Sequence, residues 1–520
     1  MTTFRAPATG SLTLAQWLGF LSLVLGNLMA IMDVSIVASS LLDIQAGLAA
    51  SAENMAWVQS AYLIAEVIAI PMTGYLSRLL STRTFFLISA GGFTLMSVAA
   101  AFAWNIDSMI AFRFAQGLLG GAMIPTTMSV IFILFPKEQQ MKAQVLVGLV
   151  STMGPVIGPT LGGYLTEMLS WHWLFLVNIG PGILIVLGVS RFFDIDKPDW
   201  SLLRKIDFPG IISMAGFLGA LEYVLEEGPR NGWLDDSAIA TVLVISVISA
   251  IVFFWRMLVA EEPLVDLRCL RNRNFALGSA FAFVLGVVLY GANFVMPLYL
   301  GQVRGYSSMQ IGELMAVSGI VMFLAAPLVG KASSALPKRY VVGVGLACIA
   351  VGSFLASRMD SQWGFNEMLV PQLVRGFGLV CCFIPLSALA LGTMPADQVK
   401  NASGLYNLMR NLGGAIGLAY LNTLVTSRQA FHWQQLIPNI RADRPEAVQA
   451  IEAATARFAS AGSADPGAAA IASVAQNIRM EGLVMTYNDL FGVICLLAVL
   501  ATLAVPLLKE TNTSVDAGGH

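Results

Sequence analysis

Charged side chains interrupt several long apolar stretches of this sequence, at positions where inserting a charge into a bilayer costs free energy. On insertion scales, a charge at the centre of a bilayer costs on the order of 2.5–3.5 kcal/mol. A carboxyl group at such a position can bind and release a proton, and a guanidinium group can pair with a carboxylate or another anion. The six residues that we single out are Asp33, Glu66, Arg113, Glu222, Arg375 and Arg410.

Polar residues also share one face in three predicted helices. In the helix near 54–76, Gln59, Tyr62 and Glu66 occur at positions i, i+3 and i+7, which lie on the same side of an α-helix. The other two faces comprise Arg113, Gln116, Gly117 and Gly120 near 108–134, and Asn407, Arg410, Asn411 and Gly414 near 400–426. The residues that we expect to line a shared cavity are Gln59, Tyr62, Gln116, Asn293, Asn407, Arg410 and Asn411.

The composition indicates what kind of molecule must position these groups. The 520 residues are 57% hydrophobic and 12% charged, with a formal net charge of -2. Soluble globular chains carry about 25% charged residues and nucleic-acid-binding domains are usually basic, so both classes are excluded. Long apolar runs predict an all-α polytopic membrane protein with fourteen transmembrane helices. The predicted spans lie near residues 14–38, 54–76, 84–104, 108–134, 142–166, 173–193, 207–226, 238–258, 275–298, 308–330, 339–357, 367–392, 400–426 and 484–508.

Basic residues predict the orientation of these spans. Most of the 29 Lys and Arg residues fall in alternate loops, which places those loops and both termini in the cytoplasm. The one long outer loop, 427–483, contains an Ala-rich helical pattern and a helix start at Asp465-Pro466 that can continue into span 14. The predicted order is a cytoplasmic segment 1–13, a six-helix bundle 14–193, a cytoplasmic loop 194–206, inserted helices 7 and 8 in 207–258, a cytoplasmic loop 259–274, a second six-helix bundle 275–508 and a cytoplasmic tail 509–520.

Landmarks of the first half of the chain recur about 260 residues later in the second half. The matched sets are Pro71 and Gly74 with Pro327 and Gly330, Arg113 with Arg375, and Pro136, Gly154 and Gly158 with Pro395, Gly413 and Gly417. Spans 1–6 and 9–14 therefore read as two copies of one bundle. Such repeats are common in transporters, whose substrate site lies near the midplane between them.

In a transporter of this kind, proton coupling requires an acidic side chain that binds a proton from one side of the membrane and releases it to the other. Asp33 and Glu66 are the candidates, with Arg113 beside them. Asp33 can instead make a structural hydrogen bond, Glu66 can bind a cationic compound directly, and Arg113 can belong to a satisfied buried ion pair. Glu222 lies outside the repeats, so we expect a peripheral or structural role for it.

The sequence does not determine the substrate class. Two further arginines and the many Met and Phe residues are compatible with more than one kind of compound. Arg375 and Arg410 can recognise anionic substrates or make hydrogen bonds between helices. Most of the 24 Met and 29 Phe residues are expected to pack or to face lipid, and a minority can line a site that accepts varied apolar compounds. The three His residues lack the spacing of metal ligands, and no nucleotide-binding motif is present, so we expect no metal, no cofactor and a proton gradient as the energy source.

Span 5 contains a string of glycines and prolines that resembles a known motif. It reads Gly154-Pro-Val-Ile-Gly158-Pro159-Thr-Leu-Gly162-Gly163. Small residues four apart let two helix backbones approach closely, and the prolines are expected to kink the helix. The string resembles the antiporter motif GxxxGPxxGG of the major facilitator superfamily, which marks exporters in that family.

Other stretches resemble the same family, with one departure. Asp33 and the following Val-Ser-Ile-Val are similar to the acidic span-1 motif of its fourteen-span drug:proton antiporters, the EmrB/QacA-type branch. Arg113-Phe-Ala-Gln116-Gly117 resembles the RxxQG motif, whose arginine is assigned to proton transfer. In the loop between spans 2 and 3, Arg78 stands where the family usually has an aspartate. If that aspartate latches the cytoplasmic gate, the latch here must be built otherwise.

The resemblance implies a function and partners. It implies a non-enzymatic, proton-coupled multidrug efflux antiporter, associated with antibiotic resistance, that exports hydrophobic or amphipathic toxic compounds by alternating access. The outer loop is most similar to that of the EmrB subgroup, which implies a bacterial inner membrane, an EmrA-like periplasmic adaptor and an outer-membrane channel, with no nucleic acid as a partner. A narrow-specificity exporter of an endogenous metabolite, siderophore or antibiotic would share these motifs. An ion channel or membrane scaffold would need neither the repeats nor the antiporter string.

Overall fold

The protein is helical throughout the residues that a computed structural model describes, which are 13–50, 52–260, 263–436, 445–462 and 465–509. No strand occurs among them, as the all-α prediction requires. The predicted terminal segments 1–13 and 509–520 lie almost entirely outside the described residues. The helices are α1 (Leu14–Ser39), α2 (Leu41–Gly47), α3 (Ala52–Leu79), α4 (Thr82–Ala101), α5 (Ile106–Gly120), α6 (Met123–Leu134), α7 (Lys137–Met168), α8 (Trp173–Leu176), α9 (Ile179–Phe192), α10 (Phe208–Glu227), α11 (Ser237–Val259), α12 (Arg273–Gln302), α13 (Ser308–Ala335), α14 (Lys338–Ala356), α15 (Phe365–Leu391), α16 (Val399–Leu436), α17 (Pro445–Ser460) and α18 (Pro466–Ala504).

Most of the predicted spans are apolar helices of membrane-crossing length. Within the described residues, twelve spans are long and apolar enough to cross a bilayer. The two predicted spans missing from that set, 142–166 and 400–426, correspond to the long helices α7 and α16. Several side chains of α7 lie outside the described residues, and α16 carries an arginine and several amides that lower its mean hydropathy.

Two spans predicted as continuous helices are broken. Span 4 consists of α5 and α6, interrupted at Gly121 and Ala122, and span 6 consists of α8 and α9, interrupted at Val177 and Asn178. A Cβ atom on Gly121 would lie 2.9 Å from the carbonyl oxygen of Glu66, so the break in span 4 lies directly against that acid. Hydropathy detects neither break because the flanking residues remain apolar.

The outer segment between spans 13 and 14 is largely helical where it is described. α16 continues to Leu436, beyond the predicted end of span 13, and α17 covers the Ala-rich pattern. Asp465 caps α18 by accepting a hydrogen bond from the backbone N–H of Ala468 at 3.0 Å, and Pro466 occupies the first turn. The predicted helix start is confirmed, and α18 runs without interruption into span 14.

The two repeats use glycines in the same way. A Cβ atom on Gly158 of α7 would lie 2.5 Å from Cβ of Ser35 in α1, and one on Gly417 of α16 would lie 2.8 Å from Cγ1 of Val287 in α12. Gly154 and Gly413 make corresponding close contacts one turn earlier. Span 5 therefore packs on span 1 as span 13 packs on span 9. The residue boundaries 14–193, 207–258 and 275–508 stay a prediction.

Candidate functional site

Asp33 and Arg113 form an ion pair that is completely buried. Arg113 Nη1 donates to Asp33 Oδ2 at 2.6 Å, and both side chains have no exposed surface. Gln116 Nε2 donates to Asp33 Oδ1 at 3.1 Å, and its own Oε1 accepts from Arg113 Nη1 at 2.7 Å. The i, i+3 spacing of Arg113 and Gln116 on α5 thus directs both residues to one carboxylate of α1.

The break in span 6 supplies a further donor to this carboxylate. Asn178 Nδ2 donates to Asp33 Oδ1 at 2.8 Å and also to Ser97 Oγ at 2.9 Å. The guanidinium carbon of Arg113 lies 4.3 Å from the ring centroid of Tyr62, a cation–π distance. Asp33 therefore has three charge-assisted or amide donors, as a buried carboxylate requires.

A cavity of about 250 Å³ lies between the two halves of the chain. Its walls come from α1, α3, α6 and α7 on one side and α12, α13, α15 and α16 on the other. Glu66 and Arg410 are the charged residues among those that line it. Its soft and aromatic lining includes Met128, Tyr290, Met315, Met322 and Phe383. Such a lining adapts to ligands of different shape.

The predicted cavity residues divide into two groups. Asn293, Arg410 and Asn411 line the cavity, as does the predicted proton-coupling residue Glu66. The other four do not line it: Tyr62 stacks on Arg113, Gln116 binds Asp33, Asn407 donates to the Ser403 carbonyl at 2.9 Å, and Gln59 is half-buried on α3. The reason is the direction of each helix face. The polar stripe of α3 turns towards α5, so that only its last member, Glu66, reaches the cavity.

The span-5 string takes part in packing between helices. Gly154 and Gly158 contact α1, and the Gly162 carbonyl accepts a hydrogen bond from the Thr166 hydroxyl at 2.8 Å. Gly163 has open space where a side chain would be. The side chain of Pro159 is not among those the structure describes, and the helix α7 itself is continuous through the string.

The two halves meet at the side predicted to face the cytoplasm. Ser387 Oγ donates to Gln144 Oε1 at 3.0 Å at the edge of the cavity. Farther along, Lys400 at the start of α16 forms an ion pair with Asp196 and donates to the Ser77 carbonyl at 3.3 Å. Asp196 also accepts from the backbone N–H and the hydroxyl of Thr82, at 2.9 and 2.8 Å. These contacts join the two halves of the chain on that side.

The matches to known proteins agree with this arrangement. Residues 23–418 match the family model of the Major Facilitator Superfamily. The chain belongs to the major facilitator superfamily. It is 40% identical over 481 residues to the colistin resistance protein EmrB of Acinetobacter baumannii, covering 92% of this chain and 94% of that protein. It is 27% identical over 472 residues to the multidrug export protein EmrB of Escherichia coli K12, covering 91% of each chain.

Solved structures of the superfamily share the fold. The crystal structure of the human organic anion transporter MFSD10 matches with a TM-score of 0.60 at 14% identity, covering 93% of this chain and 99% of that one. The resemblance of the motifs to the EmrB/QacA-type branch of the superfamily is thereby confirmed as an EmrB-type relationship. This superfamily member is a multi-pass membrane protein.

Several residues around Asp33 and the cavity are not predicted from residue type alone. Ser97 and Gln144 are single polar residues in spans 3 and 5, and neither belongs to a stripe. Asn178 is not among the predicted site residues, although an amide at the start of an apolar run signals a polar contact. Tyr290 lines the cavity and precedes Asn293 by one turn, a spacing that sequence alone can detect.

Proposed function

We propose that this protein exports hydrophobic and amphipathic toxic compounds in exchange for protons, by alternating access. The observation that carries the proposal is a buried Asp33–Arg113 ion pair beside a cavity that holds a second acid, Glu66. Val34, the next residue after Asp33, lines that cavity. Glu66 has no ion pair within 4.0 Å among the described residues, so it is available to a proton or a cationic drug.

Arg113 connects the two acids electrostatically. It touches Asp33 directly, and its charge also acts on Glu66, as does the charge of Arg410 from the opposite half. Protonation of Glu66 from outside therefore changes the balance of charge around Arg113 and removes an acceptor from the cavity. Release of that proton to the cytoplasm restores the carboxylate for the next drug. Only an interaction that differs between the two conformations can drive such a cycle.

A multidrug exporter and a narrow-specificity exporter, which the sequence leaves as alternatives, differ in the range of substrates that they accept. The lining of methionines and aromatic rings favours a broad exporter over a narrow one, since it offers few fixed polar contacts. The relatives named for multidrug export and colistin resistance support the same choice. Transport of this kind needs no catalysis, cofactor or metal. A screen of chemically unrelated compounds tests it, and resistance to a single compound class would favour the narrow exporter.

The membrane setting and partners form a second part of the proposal. The bacterial relatives support an inner-membrane location, and the distribution of basic residues supports an orientation with both termini in the cytoplasm. The helices α17 and the first turns of α18 then extend beyond the membrane on the outer side, where an EmrA-like adaptor and an outer-membrane channel would continue the export path. A chain lacking residues 435–475 should lose adaptor binding while keeping drug-driven proton movement in vesicles. Unchanged binding of purified adaptor would contradict this docking site.

Drug-stimulated proton movement in everted membrane vesicles tests the transport mechanism. The wild type should release protons from loaded vesicles when a drug is added, and Asp33→Asn should abolish the coupling because Arg113 loses its counter-ion. Asp43→Asn, at an exposed position of α2, is the matched control and should behave as wild type. Unchanged coupling in Asp33→Asn would refute the role of Asp33, and the absence of any drug-dependent proton movement in the wild type would refute the antiport.

A further inference from the structure

A second cavity lies where the outer ends of α16 and α18 run side by side, and the transport cycle above does not use it. Its volume is about 420 Å³, which is within the usual range of ligand pockets. A Cβ atom on Gly482 of α18 would lie 3.8 Å from Cδ1 of Leu436 and 3.9 Å from the backbone nitrogen of Trp433, so the two helices are in contact there. We call this cavity the outer groove. It is lined by Thr426, Gln429, Ala430 and Trp433 of α16 and by Arg479 and Gly482 of α18.

The outer groove presents a positive charge without an acidic partner. Arg479 is exposed and has no ion pair among the described residues, and no residue that lines the groove is acidic. Glu481, two residues after Arg479, lies on another face of α18. Asp489 of α18 is already occupied, because it binds Arg428 of α16 at 2.9 Å and lies 2.8 Å from His432. An anionic group is the ligand that this arrangement favours.

The outer groove lies at the depth of the lipid headgroups. Span 13 is predicted to end at residue 426 and span 14 to begin at residue 484, and the lining residues 426–433 and 479–482 lie just beyond these points. At a rise of about 1.5 Å per residue, they are within roughly 10 Å of the predicted hydrocarbon boundary. The headgroup layer extends roughly 5–8 Å beyond the hydrocarbon core on each side, and tryptophan is enriched there. Trp433 is therefore at a depth typical of its residue type.

Neighbouring elements leave the outer groove within reach of lipid. Trp233, in the turn between α10 and α11, donates from Nε1 to the Thr423 hydroxyl at 3.0 Å, one turn before Thr426. The groove thus lies between α18 and the outer end of the inserted helix pair. α11 of that pair is the least buried of the apolar spans in the described part of the chain. An apolar helix with so much exposed surface faces lipid, so a lipid beside it can enter the groove.

We propose that the outer groove binds the headgroup of an anionic phospholipid from the outer leaflet. The Arg479 guanidinium pairs with the phosphate, and the Gln429 amide and the Thr426 hydroxyl hydrogen bond with headgroup hydroxyls, as phosphatidylglycerol offers. The indole of Trp433 covers the glycerol and the first methylenes of the acyl chains. Phosphatidylethanolamine fits less well, because the groove offers no carboxylate to its ammonium group. The bound lipid bridges α16 and α18 at their outer ends.

Lipid titration of the purified full-length protein tests this assignment. Phosphatidylglycerol and phosphatidylethanolamine with the same acyl chains are added to delipidated protein in detergent, and bound lipids are counted by native mass spectrometry. The wild type should bind phosphatidylglycerol on the order of tenfold more tightly than phosphatidylethanolamine. Arg479→Gln should weaken the binding of phosphatidylglycerol on the order of tenfold, because a charge-assisted hydrogen bond is lost. Arg479→Lys should keep part of the affinity, since it retains the charge without the planar guanidinium.

Three controls separate the outer groove from general effects of charge and folding. Arg457→Gln removes an exposed arginine of α17 that does not line the groove, and this variant should bind phosphatidylglycerol as the wild type does. Inorganic phosphate has the same anionic chemistry without acyl chains, so at matched concentration it should not displace the lipid. The melting temperature of lipid-free Arg479→Gln should equal that of the wild type, because Arg479 is exposed.

Three results would overturn the proposal. Equal binding of phosphatidylglycerol by the wild type and Arg479→Gln would show that this arginine does not hold the lipid. A loss of the same size in Arg457→Gln would show a general effect of surface charge. Displacement of the lipid by inorganic phosphate would show a site for free anions instead.

Discussion

Arg113 and Arg375 occupy matching positions in the two repeats, but their surroundings differ. Arg113 pairs with Asp33 at 2.6 Å, whereas the three guanidinium nitrogens of Arg375, which is 3% exposed, have no hydrogen-bond partner among the described residues. Asp33 lies midway between the two residues of α1 that contact the span-5 glycines, and the corresponding position of α12 is Leu285. The second repeat therefore keeps the arginine and lacks the acid.

This difference predicts opposite effects of the same substitution at the two positions. Arg113→Met should lower the melting temperature, because removing one partner of a buried pair costs about 3–5 kcal/mol. Arg375→Met should leave the melting temperature unchanged or raise it, since no counter-ion is left unpaired. Thermal unfolding of the purified variants in detergent measures both. A marked loss of stability in Arg375→Met would contradict the unpaired environment of this arginine.

The glycines of span 5 determine how closely individual helices pack beside the cavity. Gly154 and Gly158 allow α7 to lie directly on α1, and Gly413 and Gly417 do the same for α16 on α12. Because both helix pairs border the cavity, the closeness of these contacts sets its width. The sequence pattern predicts close packing for the whole string, but only some of its glycines make it.

Alanine substitutions within one string separate the packing glycines from the others. Gly158→Ala should impair folding or drug transport, because the new Cβ would lie 2.5 Å from Cβ of Ser35 and the two helices must move apart. Gly163→Ala is the matched control, because nothing lies within 4 Å of its Cβ position, and transport should persist. Resistance in cells and the yield of folded protein are the measurements. Equal effects of the two substitutions would refute the contact as the cause.

Contacts between distant parts of the chain join the two halves of the molecule on its predicted cytoplasmic side. The ion pair of Lys400 with Asp196 joins the start of α16 to the loop after α9, and Asp196 also binds the start of α4 through Thr82. This cluster lies beside the loop in which Arg78 replaces the usual aspartate. An ion pair therefore joins the two halves on this side of the protein, where that aspartate is missing.

Removing this ion pair should favour opening to the cytoplasm. Lys400→Gln should increase the reaction of a cysteine placed at Gln144, a cavity residue that hydrogen bonds with Ser387, with an impermeant maleimide in everted vesicles. Burial raises the pKa of the native Cys269 thiol to about 12, so this residue stays protonated and contributes little background.

Two comparisons control the labelling experiment. Asp196→Asn should increase labelling as Lys400→Gln does, and the double variant should add little to either single change, since all three remove the same pair. The same cysteine in the otherwise wild-type chain gives the reference rate. Labelling that stays at this reference in both single variants would show that the pair does not hold the closed state.

The sequence by itself determined the helical membrane fold, the two repeats and the short set of buried charges, because apolar length, helical period and repeated spacing are local properties of the chain. Which charges meet was decided by the tertiary structure. Asn178 meets Asp33 across 145 residues of chain, and Lys400 meets Asp196 across roughly two hundred. Glu66 alone of the α3 stripe reaches the cavity, since the crossing of neighbouring helices decides which part of a polar face stays open.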